Sequence, residues 1–189
     1  MIISPNMLKT VTSSKEMFIQ KYIYNNPEFT LNAPFKKGKE IHALANYYLS
    51  GQNIEKLENS LDLNQMKLWN TVKNSKYFKF QCIESEYQIN AKIDKFWIGG
   101  RIDSVMKNDK NYYILDYKTG EIPDNAKYDY QTMVYLYCMD KLLKNYDSLN
   151  FVYIGLRDNE IEKITLNETL KKEYEKLILE GCLQIQKLL

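Results

Sequence analysis

Apolar positions recur at helical spacing through most of the first 76 residues, give way to alternating β-branched and aromatic runs, and then return to helical spacing. Ser13-Ser14-Lys15-Glu16 reads as a capping box with Ser13 as the N-cap, and Met17, Ile19, Tyr22 and Ile23 form the apolar side of the helix it opens. A second helix is expected to open near Pro34, run through Gly38-Lys39-Glu40-Ile41-His42 and stop near Gly51. Residues 63–73 are a shorter helical candidate. The runs 80–89, 96–106 and 112–118 read as strands, with a turn at Asn108-Asp109-Lys110-Asn111 between the second and third. Gly120 and Pro123 close that region. A helix over 125–143, a strand over 151–156, a short strand over 161–166 and a last helix over 168–188 follow. Helices flanking a small central mixed sheet make this an α/β domain with a helical N-terminal part.

Composition adds boundaries rather than direction. The 189 residues suit one domain spanning 1–189, and 44% hydrophobic with 26% charged residues suits a soluble protein with a core. No apolar run approaches the roughly 18 residues a membrane span needs, so no membrane partner is expected. The start Met1-Ile2-Ile3-Ser4-Pro5 lacks the features of a secretory signal, which places the protein in the cytoplasm as an expectation. Cys82, Cys138 and Cys182 are far apart and form neither a disulfide framework nor a metal motif. A net charge of +2 does not announce a nucleic-acid partner, so any such footprint must be local. Two basic groups stand out: Lys36, Lys37 and Lys39 before His42, and Lys73, Lys76 and Lys79.

The chemistry concentrates in Gly100-Arg101-Ile102-Asp103 and Ile114-Leu115-Asp116-Tyr117-Lys118-Thr119-Gly120. A tight turn centred between Asp109 and Lys110 sets Asp103 directly opposite Asp116 on one sheet face, with Cβ atoms roughly 5 Å apart. Lys118, two residues on, shares that face. Facing carboxylates repel, and a divalent cation such as Mg2+ or Mn2+ relieves this best because it prefers hard oxygen ligands. The adjacent lysine suits phosphoryl transfer, where it can polarise water and neutralise charge on phosphate. The competing interpretation is a surface hairpin with an ordinary Asp–Lys pair. Glu86, on the first strand, is either a further ligand or part of a solvated strand face.

The order G-R-I-D, apolar strand, D-Y-K-T-G, then Gln131 and Tyr135, with an upstream G-x-x-x-H at Gly38 and His42, resembles the RecB-type branch of the PD-(D/E)xK nuclease superfamily. The resemblance covers residues 38–135 and implies a restriction-endonuclease-like core. It implies that His42, Asp103, Asp116 and the main-chain carbonyl of Tyr117 hold the metal, and that Lys118 is the catalytic lysine. Gln131 and Tyr135 would order the site or contact nucleic acid; with Tyr128 they are expected to share one helix face. Relatives that carry an iron–sulfur cluster hold it on four cysteines, which this chain lacks, so no cluster is expected.

The expected activity is metal-dependent hydrolysis of DNA, as an exonuclease acting on ends or single strands in repair, recombination or defence. The alternatives are a non-catalytic DNA-binding subunit of a larger complex and a hydrolase of some other phosphate ester. No nucleotide-binding motor motif is present.

Overall fold

The computed structural model describes the backbone of residues 1–30 and 36–189 and the side chains of 1–29 and 39–189. The expected helix start near Pro34 and the side chains of Lys36 and Lys37 lie outside the described residues.

The N-terminal part is helical after a short strand β1 (Ile2–Ile3): α1 (Pro5–Ser13), α2 (Lys15–Phe18), α3 (Pro27–Thr30), α4 (Lys36–Leu49), α5 (Glu55–Asn59) and α6 (Leu63–Lys73). A π-helical stretch, Ile19–Ile23, continues α2. Capping sets several of these starts. Ser4 accepts from the Met7 amide with Pro5 in the first turn, which opens a helix that the sequence pattern had not located. The cap of the next helix is Ser14, whose side chain accepts from the Met17 amide; Ser13, expected in that role, ends α1 and turns its hydroxyl to the Lys9 carbonyl. Asp62 and Gln65 form a reciprocal capping box at α6.

The sheet comprises β2 (Gln81–Ile93), β3 (Phe96–Asn108), β4 (Asn111–Lys118), β5 (Ser148–Gly155) and β6 (Ile161–Thr165) in addition to β1. β2, β3 and β4 run antiparallel in sequence, β5 lies parallel to β4, and β6 closes the edge antiparallel to β5. Asp94 and Asp109, both at positive φ, make the two hairpin turns. β2 occupies one edge of β3 along its length. The opposite edge is shared: β1 pairs at Trp97 and Ile98, and β4 pairs only from Ser104 onward. The backbone between those pairings carries Gly99 to Asp103.

α7 (Tyr130–Leu142) and α8 (Glu168–Gln186) complete the chain. They pack with α1 on one sheet face, over Ile114, Phe151 and Tyr153. On the other face α4 and α6 bury Ile41, Leu44, Trp69 and Val72 against Leu115, Tyr117, Val152 and Ile154. β4 and β5 therefore send alternate residues into two cores, which is why they read as continuous apolar runs. Trp69 is fully buried, and truncating such an aromatic costs about 3–5 kcal/mol. Among the described residues no helix is long and apolar enough to cross a membrane.

Candidate active site

The register of the β3–β4 hairpin is the expected one: Asn108 pairs with Asn111, and the last pair is Ser104 with Leu115. One step further come Asp103 and Asp116, and there the strands part. Asp103 takes over from the ladder, its Oδ2 accepting from the Tyr117 amide at 2.9 Å. The carboxylate thereby satisfies a main-chain donor that strand separation would otherwise leave without a partner.

His42 reaches this point from α4. Ile41, Leu44 and Ala45 are buried and fix the helix face, leaving His42 at its border. One turn on, Asn46 accepts a hydrogen bond from Ser85 and docks the helix on β2. Nδ1 of His42 lies 3.1 Å from Asp103 Oδ1, and Nε2 lies 2.9 Å from the Tyr117 carbonyl oxygen. Burial lowers the His42 pKa, but the hydrogen bond and charge of Asp103, the charge of Asp116 and the Tyr117 carbonyl outweigh it and raise the pKa to about 8.

Asp116 is 5% exposed. Its Oδ1 accepts from Gln131 Nε2. Lys118 Nζ lies 2.8 Å from the buried Oδ2, which has that ammonium as its charge partner. Burial and the Asp103 charge push the Asp116 pKa up, while Lys118 pulls it down. Lys118 also donates to Gln131 Oε1 at 2.8 Å and sits 5.3 Å from the centre of the Tyr153 ring. Gln131 thus bridges acid and base. It stands in the first turn of α7, whose N-cap Asp129 accepts from the Gln131 amide.

A hard divalent cation fits this donor set. The Asp103 carboxylate, the Tyr117 main-chain carbonyl and the His42 imidazole meet, and the buried Asp116 carboxylate is near enough for its charge to act on His42, with its Oδ2 held by the Lys118 ammonium. Glu86 adds to it: its carboxylate, the Asp103 carboxylate and a His42 ring nitrogen lie within 4.8 Å of one another. Glu86 has φ 49 in mid-strand, between the pairs Ser85 with Ser104 and Tyr87 with Ile102, so by count it faces Asp103. Arg101 Nε holds it at 2.8 Å. The counting that placed Asp116 opposite Asp103 places Glu86 there too, once the Asp94 turn is recognised.

Burial raises the Tyr135 pKa, and Asp116 and Asp103 are near enough for their charges to add to that rise, but its hydrogen bond goes elsewhere. Its hydroxyl donates to the Arg101 carbonyl at 2.9 Å and lies where a Cβ on Gly100 would reach it at 2.8 Å. It braces β3 two residues before Asp103. Tyr128 does not share the face of Gln131 and Tyr135 as expected. It belongs to a 3-10 turn, Ala126–Tyr128, separated from α7 by the extended cap residue Asp129, and its hydroxyl donates to Glu173. The three cysteines are free, with Cys138 and Cys182 buried.

The family described as the PD-(D/E)XK nuclease superfamily matches residues 63–187, about two thirds of the chain. No curated protein matches the sequence. Among solved structures, a protein provisionally described as an exonuclease, from Eubacterium rectale, aligns over 99% of this chain and 80% of its own, with a TM-score of 0.64 and 12% identity. That likeness is one of fold. The structure of SSO0001 aligns over 95% of this chain and 70% of its own at 16% identity, with a TM-score of 0.41, too loose to add to it.

Proposed function

Because this chain belongs to the PD-(D/E)XK nuclease superfamily, we propose that it is a metal-dependent DNA nuclease of the RecB-type branch, acting as an exonuclease on ends or single strands. The observation that carries this reading is the meeting of His42, Asp103 and the Tyr117 carbonyl at the point where β3 and β4 part, with the Lys118–Asp116 ion pair following on β4.

His42, Asp103, Asp116 and the Tyr117 carbonyl would hold Mg2+ or Mn2+, with Glu86 in reach. The ion would lower the pKa of a bound water and neutralise charge on the scissile phosphate. Lys118, at the open end of β4, orients the water and stabilises charge growing on the phosphate oxygens. Gln131 positions Lys118 and Asp116 relative to each other, since its amide engages both. Tyr135 keeps the Gly100–Asp103 backbone in place through the Arg101 carbonyl.

The deciding experiment incubates the protein with end-labelled single- and double-stranded DNA and RNA, with Mg2+, with Mn2+ or with chelator. Metal-dependent loss of DNA from an end supports the reading. Salt-dependent binding with no cleavage of any substrate replaces it with a non-catalytic binding subunit.

A further inference from the structure

An open groove of about 960 Å³ runs along α6 toward the loop between β5 and β6. Its floor adjoins the catalytic strand. Ile154, on its wall, is the cross-strand partner of Tyr117, and the Leu156 amide donates to the Lys118 carbonyl at 2.9 Å. Arg157 follows directly and lines the groove.

The lining has two chemistries. Lys67, Lys76 and Arg157 are exposed cations, and among the described residues none has an ion-pair partner. Lys73, in the same sequence cluster as Lys76, is instead neutralised by Glu58 at 2.7 Å. The single lining carboxylate, Asp158, accepts from the Glu160 amide within its own loop. Between the cations stand the neutral hydrogen-bonding side chains of Asn70, Thr71 and Asn74. The second chemistry is apolar: Leu63 is 91% exposed and Ile161 45% exposed, both on the groove.

We propose that this groove, at the same end of the sheet as the nuclease centre but on the opposite face from the Asp116 and Lys118 side chains, binds single-stranded nucleic acid, with Lys67, Lys76 and Arg157 on its phosphates and Leu63 and Ile161 against its unpaired bases. The proposal rests on the nuclease reading only for its purpose. Cations without carboxylate partners have no internal charge to neutralise them, and phosphates supply it. A duplex turns its bases inward and offers nothing to the two exposed apolar side chains, whereas a single strand presents base faces along its length. Cations on phosphates and apolar side chains on base faces read no base edge, so binding is tolerant of sequence.

The test is fluorescence anisotropy of a labelled oligo-dT in chelator, with the full chain, over a range of salt. Lys67→Ala/Arg157→Ala should weaken binding on the order of tenfold at low salt and flatten the log Kd–log salt slope by about 1.4, from about 0.7 per lost contact. Lys67→Arg/Arg157→Lys should keep the slope, which separates charge from misfolding. Lys172→Ala/Lys176→Ala, removing two exposed lysines of α8 on the other sheet face, should change neither quantity. An unchanged slope in the groove variant, an equal loss in the α8 variant, an equal loss for duplex DNA, or no binding by the wild type would each overturn the proposal. Cleavage is not read, so a protein that cuts nothing yet binds through these residues leaves the groove standing and removes only the nuclease reading.

Discussion

His42 and Asp103, 61 positions apart in the chain, meet at 3.1 Å, and the other ring nitrogen of His42 faces the Tyr117 carbonyl at 2.9 Å. Both facing atoms are acceptors. The ring satisfies both only as the doubly protonated imidazolium, in keeping with a pKa raised to about 8. A proton on Nε2 thus occupies the line between two atoms proposed as metal ligands.

Metal and proton should therefore compete at His42. Neutral imidazole is the ligand form, so affinity for Mn2+ is expected to climb as pH rises toward about 8 and to level off above it. Calorimetry in buffers of different ionisation enthalpy at pH 7 should find about one proton released per ion. An affinity that is flat between pH 6.5 and 8.5 would exclude His42 as a ligand.

The same shift acts on the metal-free fold with the opposite sign. A folded pKa above the unfolded value of 6.5 contributes stability that is fully present below about pH 6.5 and is lost as pH rises through about 8. The contribution is about 1–2 kcal/mol, discounted for the partial exposure of the ring. Urea unfolding of wild type and His42→Ala across that window should show the wild-type advantage shrink with pH; a constant difference would contradict the assignment.

Lys118→Ala should lower kcat on the order of 100-fold or more while weakening DNA affinity only modestly, because its charge acts chiefly in the transition state. It also strips a cation from Asp116, which is 5% exposed, so the metal-free variant should lose about 1–3 kcal/mol of stability. Metal should restore part of that loss. Single-turnover kinetics with denaturation in chelator and in Mn2+ read both; a variant with wild-type kcat would remove Lys118 from the mechanism.

Cleavage should stop in chelator and in Asp116→Ala. The Asp116→Ala protein should bind DNA at least as tightly as wild type when metal is absent, because a carboxylate facing the phosphate is gone. Activity that persists in excess chelator would rule out the metal-dependent reading.

Gly100 and Tyr135 form a packing pair whose coupling is measurable. A Cβ at position 100 would lie 2.8 Å from the Tyr135 hydroxyl oxygen, so Gly100→Ala should cost about 1–3 kcal/mol and reduce activity by displacing the strand that carries Asp103. Tyr135→Phe removes that oxygen. The double variant should recover part of the Gly100→Ala loss, since ring carbons still lie 3.2 Å from the added Cβ, and strict additivity in a double-mutant cycle would refute the contact.

Much of this site was legible because it is local. Asp103 and Asp116 flank a turn of four residues, and antiparallel pairing across such a turn leaves one register once alternate residues are buried. Helices at 63–73 and 168–186 were likewise visible in spacing alone. The misreadings were local competitions. Ser13 and Ser14 are both able caps, and only the backbone turning extended at Ser14 decided between them. Tyr128 lost its place on the Gln131 face because Asp129 adopts extended backbone and restarts the helix.

The sequence by itself determined the hairpin that carries Asp103 and Asp116, the class of fold and, through the order of its motifs, the nuclease superfamily. Hydrogen-bond period and strand register follow from residues near one another in the chain. The tertiary structure alone decided that β3 and β4 part after Ser104, that the Asp103 carboxylate takes the Tyr117 amide, and that Gln131 bridges Asp116 to Lys118. It also decided that α4 delivers His42, and β2 delivers Glu86, to the same carboxylate. Those contacts join separate elements. Their geometry depends on how two cores on opposite faces of a twisted sheet seat their helices, and no spacing within one segment encodes that.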